Sequence, residues 1–528
     1  MNYSDLFRVT LPETMLELAA LVVLIVDLGF LRKAALKVRV AVAALLGVVG
    51  CGAALWALQL QSNDWFTLFD SLGSALLVTG TYVKLAQTGI LVLTALTLLL
   101  LIDSDFTRHV GEFVAVVLMA ASGGLLVAGA QDLLVIFVGL ELLSLSLYIM
   151  TAFAKSSGKS AEAALKYYLF GGMSAAFLLF GFSYFYGMTG STDLAEIQYV
   201  VFWQGSAPLL YVGWVLVVAG LGFKVAAVPF HLWAPDTYEG APASAAAFIA
   251  SVSKIASFTL LITVCSRIST ITLFESTYNL DSRELISRLH QYDGVWTGMT
   301  GVLLAVAALS MVVGNLAALA QTSVRRLLAY SAIAHAGYIL LAVSTAQHLS
   351  GKPGELEALL SSWKYVIANQ NAILYYILTY GLTTIGAFGV VSVVERATGS
   401  DRLDSFLGLH KRNPLLAAVL LVLFLSLAGI PPLVGFWAKF NLFAAVLGVS
   451  AGPVPFALVA LAVAMSAVSL YYYLQVLKRA YVMPAIDNSP IHAHPVTMAV
   501  LLLIAAAVVV LGCFPALLQN WIGSFYPA

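Results

Sequence analysis

Charged residues are scarce in this chain. Only 10% of its 528 residues are Asp, Glu, Lys or Arg, whereas 61% are hydrophobic and the mean hydropathy is +0.95. Soluble domains carry about 25% charged residues, so this composition excludes a water-soluble fold and predicts a polytopic membrane protein. The formal net charge of zero also argues against nucleic acid as a partner.

Cysteine is equally rare. Cys51, Cys265 and Cys513 lie far apart, in apolar runs or at their ends, and no pair has CxxC spacing. This pattern excludes a disulfide framework and a cysteine metal site, and we expect the three thiols to be small core residues. His492 and His494 form a loop pair without further ligands, so we expect no metal in this chain.

Long apolar runs are abundant. They predict an all-α membrane protein with about fourteen transmembrane helices and no soluble domain. The spans lie at about 11–31, 38–60, 84–102, 110–129, 131–153, 163–188, 208–234, 243–266, 295–319, 326–347, 366–394, 414–446, 453–477 and 496–518. Only Gly129, Gln131 and Asp132 separate the fourth span from the fifth.

Basic residues predict the orientation of these spans, because lysine and arginine concentrate in cytoplasmic loops. One set of alternate loops holds fifteen of the 26 lysines and arginines, and the opposite set holds seven. The richer set is therefore predicted to be cytoplasmic, with both termini outside. Four lysines remain within apolar spans. They are Lys166, Lys224, Lys254 and Lys439.

Prolines interrupt two of the spans that carry these lysines. Lys224 precedes Pro229 in the seventh span, and Lys439 follows Pro431 and Pro432 in the twelfth. Proline removes a backbone donor, so both helices are predicted to be broken. Broken backbone at membrane depth is tolerated where it is buried in protein or lines water, and ionisable groups beside it indicate an ion or proton path.

For each of the other ionisable groups in the spans, a structural and a functional interpretation are possible. Glu141, near the centre of the fifth span, is either a hydrogen-bonding group between helices or part of a proton path with the lysines. His231 and His335 are either satisfied core residues or relays. Lys166 either pairs with Glu162 one turn earlier and snorkels, or belongs to the path. Asp27 is expected to pair with Arg32 and Lys33.

The two breaks lie five helices apart, which predicts two inverted five-helix repeats, spans 4–8 and 9–13. The corresponding division of the chain is 1–109 for helices 1–3, 110–266 for the first repeat, 267–480 for the second and 481–528 for the last loop and helix. The repeats share little sequence identity. The inference depends on the breaks alone.

Three long motifs resemble one family. The stretch PFHLWAPDTYEGAP, together with GLELLSLSLY at 139–148 and GIPPLVGFWAKF at 429–440, resembles the antiporter-like membrane subunits of respiratory complex I. These are related to subunits of multisubunit sodium/proton antiporters. DTYEGAP and the lysine at position 439 favour the N branch of the family over M and L, as does the absence of a long lateral helix after the fourteenth span.

This resemblance implies a role in redox-driven proton translocation across the bacterial inner membrane. Glu141 and Lys224 would be the coupled pair, Lys254 the central relay and Lys439 the terminal lysine, while Lys166, His231 and His335 would have secondary roles. No cofactor is expected in this chain, which lacks a GxGxxG unit. Flavin, iron–sulfur clusters and quinone would belong to partner subunits of the membrane and redox arms, and lipid, protons and internal water are the other expected partners.

Three alternatives remain at this stage. The chain could be a subunit of a sodium/proton antiporter complex, which would share the broken helices and buried lysines. It could belong to a relative of complex I that takes electrons from ferredoxin or reduced F420. A purely structural assembly subunit is the third, and it gives no reason to bury four lysines.

Overall fold

A computed structural model describes residues 3–61, 66–69, 75–204, 208–269, 282–345, 356–449, 452–485, 487 and 489–523. Most of these residues are helical. Within this part of the chain, twelve helices are long and apolar enough to cross a membrane, and two shorter apolar helices, Pro414–Ala428 and Val434–Val449, are the halves of the predicted twelfth span. The prediction of an all-α polytopic membrane protein is confirmed.

The N-terminal third begins with helices that pack on one another as a group. They are α1 (Tyr3–Val9), α2 (Leu11–Ile25) with a π-helical extension (Val26–Phe30), α3 (Leu36–Leu60) and α4 (Thr81–Leu101). Between α3 and α4 the strands β1 (Phe66–Phe69) and β2 (Ala75–Thr79) form an antiparallel pair that the sequence did not predict. A carboxylate oxygen of Asp193 accepts a 2.6 Å hydrogen bond from the Ala75 backbone and fastens this pair to the membrane helices.

The pairing predicted for Asp27 is wrong. Its carboxylate accepts two hydrogen bonds from Arg39, at 2.7 and 2.6 Å, and one from the backbone N–H of Gly111. Arg32 and Lys33 lie in the turn that follows the π-helix, whereas Arg39 lies on the first turns of α3 and reaches back across the turn. The ion pair joins the π-helical extension of α2 to α3, and the hydrogen bond from Gly111 joins it to α5.

The next group of helices covers the predicted first repeat. It comprises α5 (Val110–Gly129), α6 (Leu133–Thr151), α7 (Gly158–Thr189), α8 (Leu194–Gln204), α9 (Pro208–Val225), α10 (Trp233–Gly240), α11 (Ala243–Ala250) and α12 (Val252–Ser269). The boundary between the fourth and fifth spans is real. Asp132 caps α6, since its carboxylate accepts hydrogen bonds from Leu134 and Val135 N–H.

The remaining helices cover the predicted second repeat and the C-terminus. They are α13 (Ser282–Leu319), α14 (Val324–Thr345), α15 (Leu356–Thr398), α16 (Leu409–Arg412), α17 (Pro414–Ala428), α18 (Val434–Val449), α19 (Pro453–Tyr481), α20 (Pro495–Cys513) and α21 (Pro515–Gly523), with a 3₁₀ turn at Leu403–Phe406. α13 and α15 begin before the apolar spans predicted for them, and the predicted last span ends at Cys513.

Both predicted helix breaks are present. The seventh span is interrupted between α9 and α10, around Pro229, and the twelfth between α17 and α18, around Pro431 and Pro432. Gly429 turns the chain after α17 with φ 88°, and a Cβ there would lie 3.0 Å from Cδ of Lys439. Both conditions favour glycine at this position.

A third break was not predicted. The eighth span is divided into α11 and α12 at Ser251, whose φ and ψ are −121° and −76°. Its Oγ donates a 2.6 Å hydrogen bond to the carbonyl of Ala247. Hydroxyl groups that bond to the preceding turn bend helices without any proline, which explains why proline positions gave no sign of this break. Lys254 lies in the first turn of α12.

Candidate functional site

Three of the four span lysines are buried. Lys224, Lys254 and Lys439 are 8%, 3% and 6% exposed. Among the residues that the structure describes, none of the three has a carboxylate oxygen within 4.0 Å. Their partners are instead backbone carbonyls and serine hydroxyls.

Lys254 lies against the end of a broken helix. Its Nζ donates a 2.9 Å hydrogen bond to the carbonyl of Val225, the last residue of α9, and a 3.0 Å bond to the carbonyl of Ala332 on α14. The last carbonyls of a helix lack intrahelical partners and carry the negative end of the helix dipole. A lysine from the eighth span therefore satisfies the broken end of the seventh.

Lys439 has the corresponding position at the other break. Its Nζ donates a 2.9 Å hydrogen bond to the carbonyl of Ala428, the last residue of α17, and a 2.8 Å bond to Oγ of Ser466. Here the lysine belongs to the second half of the same broken span. In both broken spans, the helix before the break thus ends in a carbonyl that accepts a hydrogen bond from a buried lysine.

Helix α14 connects these two lysines. Ala332, whose carbonyl binds Lys254, is followed three residues later by His335 and six residues later by Tyr338, so all three lie close to one helix face. The ring of Tyr338 lies 5.7 Å from Nζ of Lys439. His335 is 4% exposed, and its Nδ1 lies 2.6 Å from the hydroxyl of Tyr376.

A small space lies beside His335. It is lined by His335, Tyr376, Thr379, Tyr380, Thr383 and Ser426, among others, and leaves ≈ 10 Å³ for the centres of water molecules. That is about the space needed for one water.

Glu141 and Lys224 lie close together without forming an ion pair. Nζ of Lys224 donates a 2.5 Å hydrogen bond to Oγ of Ser144, one turn after Glu141 on α6. The carboxylate attracts the ammonium at a longer distance. Glu141 is half-buried, on the side of α6 where Val138 and Leu145 are exposed. Ser144 is the group that holds Lys224 in place.

His231 lies within the first break. It is 9% exposed, and its Nδ1 has no hydrogen-bond partner among the described residues. Two other groups stabilise the open backbone here. Trp233 Nε1 donates to the carbonyl of Phe223, and the N–H of Val228 donates to Oγ of Ser310 on α13. These two hydrogen bonds connect the break to Trp233 and to α13.

Lys166 occupies the rim of the helices. It pairs with Glu162 at 2.6 Å, as predicted, and with Asp236 on α10 at 2.7 Å, and 39% of its side chain is exposed. Arg326 on α14 binds Asp236 at 2.6 Å and Glu239 at 3.0 Å. Burial acts to raise the pKa of Asp236, but hydrogen bonds from Lys166 and Arg326 outweigh it and lower that pKa.

Comparison with known proteins identifies the family of this chain. Residues 130–279, 284–352 and 358–469 match the family described as NADH:quinone oxidoreductase/Mrp antiporter, TM. An NADH-quinone oxidoreductase subunit N of Acidobacterium capsulatum is 45% identical over 99% of both chains. The chain belongs to the N-subunit family of NADH-quinone oxidoreductases. A subunit N of Roseiflexus castenholzii is 38% identical over 99% of this chain and 98% of its own.

A solved member of such an assembly has the same fold. A chain of respiratory complex I from Thermus thermophilus superposes with a TM-score of 0.73 at 31% identity, covering 96% of this chain and 98% of that one. The resemblance found in the motifs is thereby confirmed. The division into repeats at 110–266 and 267–480, and the roles of individual site residues, stay predictions.

Several residues of the site were not predicted. Ser144, Ser310, Ser466, Tyr338 and Tyr376 all contact the lysines, the histidine or the broken backbone. Serine and tyrosine are common in membrane helices, so no composition signal separates these five from the others. Only their three-dimensional position identifies them.

Proposed function

We propose that this chain is a proton-translocating, antiporter-like membrane subunit of NADH:quinone oxidoreductase. The observation that supports it best is the pair of broken helices, each ending in a carbonyl that accepts a hydrogen bond from a buried lysine. A buried ionisable group in a membrane is costly and marks a pathway for ions or protons. Here two such groups are connected through one helix that carries His335.

The hydrogen bonds of Lys254 and Lys439 suit a group that gains and loses a proton. An ammonium has three N–H donors, and each lysine has two acceptors within hydrogen-bond distance. Loss of one proton leaves an amine with two N–H groups, which still match the two acceptors. The broken helix ends are satisfied in both states, so the proton can leave without exposing an unpaired carbonyl.

Lys224 is held differently. Among the described residues it has a single hydrogen-bond acceptor, Ser144, and its ammonium depends on the more distant Glu141 for charge compensation. Burial opposes the charged form of a lysine, and a nearby carboxylate opposes that effect. A displacement of Glu141 would therefore load or unload Lys224, which makes this pair the input of the path.

In this mechanism protons pass from the cytoplasm to Glu141 and Lys224, then through Lys254, water and His335. They leave to the outside from Lys439. Redox events in partner subunits bias the charges near Lys224 and so change the proton affinity of the lysines in turn. His231 and Lys166 border the path at the first break and at the cytoplasmic rim.

The chain itself carries no redox centre in this proposal. Flavin, iron–sulfur clusters and quinone belong to partner subunits, and the chain assembles with the other membrane-arm subunits in the bacterial inner membrane. Both of its termini face outward. The exposed side of α6 beside Glu141 would then face a neighbouring subunit or lipid.

Two related functions share the same geometry. The matched family includes Mrp antiporters, so a sodium/proton antiporter subunit is the second candidate. A relative fed by ferredoxin or reduced F420 is the third. Isolation of the complex with its partners distinguishes all three, because NADH-oxidising, iron–sulfur-containing subunits accompany only the proposed one.

The residue assignment is tested by proton translocation against electron flow in vesicles that hold the assembled complex. Lys224→Ala and Glu141→Gln should both lower the protons moved per electron. Lys84→Ala is a matched control, because Lys84 is also a buried lysine, but it is not one of the four span lysines: it lies near the start of α4 and donates to the carbonyl of Gln61. An unchanged proton-to-electron ratio in both test variants would refute the assignment.

A further inference from the structure

Asn315 is a fully buried amide on α13. Its Nδ2 donates a 2.7 Å hydrogen bond to the carbonyl of Met311 on the same helix and a 3.1 Å bond to the hydroxyl of Tyr338 on α14. Its Oδ1 accepts a 3.2 Å bond from the hydroxyl of Tyr472 on α19. An amide group has two N–H donors and one acceptor oxygen, so all of them are used. The side chain of Asn315 therefore joins three helices.

These bonds fix the direction of the amide and of the tyrosine beside it. A carbonyl only accepts hydrogen bonds, so the amide atom next to the Met311 carbonyl is the nitrogen. The same nitrogen donates to Tyr338, whose hydroxyl oxygen is therefore the acceptor. The ring of Tyr338 packs edge-on against Phe443 of α18, with the ring centroids 5.8 Å apart. Tyr338 is thus held at its hydroxyl by α13 and at its ring by α18.

The ring that is held in this way covers Lys439. Nζ of Lys439 lies over the Tyr338 ring, 5.7 Å from its centroid. A cation within about 6 Å of an aromatic ring is attracted by the negative face of the ring, and more strongly where water is excluded. Lys439 is buried and has two hydrogen-bond acceptors, the Ala428 carbonyl and the Ser466 hydroxyl. The ring is a third group that favours the charged form of this lysine.

No carboxylate compensates the charge of Lys439 at close range. Among the described residues, no carboxylate oxygen lies within 4.0 Å of its Nζ. Helices α17 and α19 contribute a carbonyl and a hydroxyl, and α20 carries no charged residue. The titratable side chains of this region are His335 and Tyr338 on α14 and Tyr376 and Tyr380 on α15. The ammonium therefore depends on dipoles and on the Tyr338 ring.

We propose that Asn315 is a positioning residue of the proton path: together with Tyr472 it holds the Tyr338 ring over Lys439, where the ring stabilises the ammonium form of the lysine. Asn315 acts through the ring, because its hydrogen bonds in the described part of the chain go to Tyr338, to Tyr472 and to its own helix. The inference rests on the proposed function, because it assumes that Lys439 carries protons.

The test is the pH dependence of the protons moved per electron in vesicles that hold the assembled complex. Asn315→Leu leaves the Tyr338 ring without its anchor, so the Lys439 ammonium loses stabilisation and the lysine binds its proton less tightly. Lys439 then becomes neutral at a lower pH, and the alkaline fall of the ratio should move to lower pH. We expect a shift on the order of one pH unit, the size of a desolvated cation–π attraction. Tyr338→Leu, which removes the ring, should give at least the same shift.

Asn369→Leu is the matched control. Asn369 is also a fully buried amide, and its Nδ2 donates a 3.0 Å hydrogen bond to the carbonyl of Ala342 on α14. Both substitutions therefore remove a buried bond between α14 and a neighbouring helix. Loss of packing alone lowers the amount of assembled complex in either variant, but only Asn315→Leu should move the pH at which the ratio falls.

Two further measurements apply where Asn315→Leu assembles poorly. Tyr472→Phe removes only the hydroxyl that donates to Asn315, and it should shift the alkaline fall in the same direction by a smaller amount. Its control is Tyr471→Phe, at the exposed neighbouring tyrosine, which should cause no shift. Addition of Tyr472→Phe to Tyr338→Leu should cause no further shift, because the ring through which both polar groups act is already absent.

The positioning role and the proposed function fail in distinguishable ways. An alkaline fall at the parental pH in both Tyr338→Leu and Tyr472→Phe, with a lowered ratio in Lys439→Met, overturns the positioning role alone. Equal shifts in Asn315→Leu and Asn369→Leu do the same. Parental ratios in Lys439→Met, Lys254→Met and Lys224→Ala together overturn the proposed function as well.

Discussion

Nζ of Lys254 donates a 2.9 Å hydrogen bond to the carbonyl of Val225, the residue at which α9 ends. Lys439 makes the same kind of bond to Ala428 at the end of α17. In a membrane an unsatisfied carbonyl costs several kcal/mol, so each break needs such a donor. In the proposed mechanism, the group that stabilises the fold at each break is also the group that carries the proton.

Tyr376 should orient His335. If the phenol donates to Nδ1, the imidazole carries its proton on Nε2, directed away from Tyr376. Tyr376→Phe removes this constraint, and we expect fewer protons per electron with little change in assembly. Tyr375→Phe, the neighbouring buried tyrosine, is the control. Equal ratios in the two variants would show that Tyr376 does not orient the histidine.

Ser144 should be needed to hold Lys224. Ser144→Ala removes the acceptor of the 2.5 Å bond, so the buried ammonium loses its hydrogen-bonded partner and its proton is bound less tightly. Proton translocation at high pH should fall more than at neutral pH, because less of the lysine is then charged. Ser146→Ala is the control, because in the described part of the chain Oγ of Ser146 bonds only to the Leu142 carbonyl of its own helix. An identical pH profile for the two would contradict the role of Ser144.

Gly435 should be essential for the packing of the twelfth span. A Cβ at this position would lie 1.9 Å from the carbonyl oxygen of Ser426, so Gly435→Ala forces α17 and α18 apart. Overpacking of this kind costs about 1–3 kcal/mol or more. The amount of assembled complex and its thermal midpoint should both fall. Gly172→Ala on α7, where no atom lies within 4 Å, should leave both unchanged.

The ion pairs of Arg326 should stabilise the chain only above acidic pH. The pKa values of Asp236 and Glu239 are lowered, since hydrogen bonds from basic side chains, including Arg326, outweigh the opposing effect of burial. A carboxylate with a depressed folded-state pKa stabilises the fold above its ordinary value and loses that contribution as pH falls through the folded-state pKa. The window therefore begins near 4.5 for Glu239 and 3.8 for Asp236 and extends below them.

Arg326→Gln tests this window. These side chains are partly exposed, so the loss of stability at neutral pH should be on the order of 1 kcal/mol. The difference from the parent in thermal midpoint should shrink as the pH falls below that window. Lys155→Gln, an exposed lysine with no ion pair among the described residues, should show no such difference. A difference that stays constant with pH would argue against the ion pairs.

The sequence predicted the fold because apolar length and proline are strong local signals. About fourteen spans and the breaks at Pro229 and at Pro431 follow from them. In its described part the structure has twelve membrane-length apolar helices, shorter helices at the first and twelfth predicted spans, and both breaks. The break at Ser251 was missed because a serine that bonds to the preceding turn looks like any other serine in the sequence. The β1–β2 pair was missed because the connection between two membrane spans was read only as a loop.

The ionisable residues of the candidate site could be predicted from the sequence. The groups that accept their hydrogen bonds could not. Charge in an apolar span is conspicuous, which is why Lys224, Lys254 and Lys439 could be found. Their partners include the carbonyls of Val225, Ala332 and Ala428, and a backbone acceptor has no signature in the sequence. Lys166 was harder to classify because its position within the span did not reveal the contact with Asp236 on α10.

The most direct test of the central claim is the ratio of protons translocated to electrons transferred in vesicles containing the complex with Lys254→Met. Methionine keeps the length and apolar stem of lysine but cannot carry a proton. The account predicts a clearly lowered ratio with NADH-driven quinone reduction still present, and a parental ratio in Lys84→Met. A parental ratio in an assembled Lys254→Met complex would contradict a proton path through this lysine.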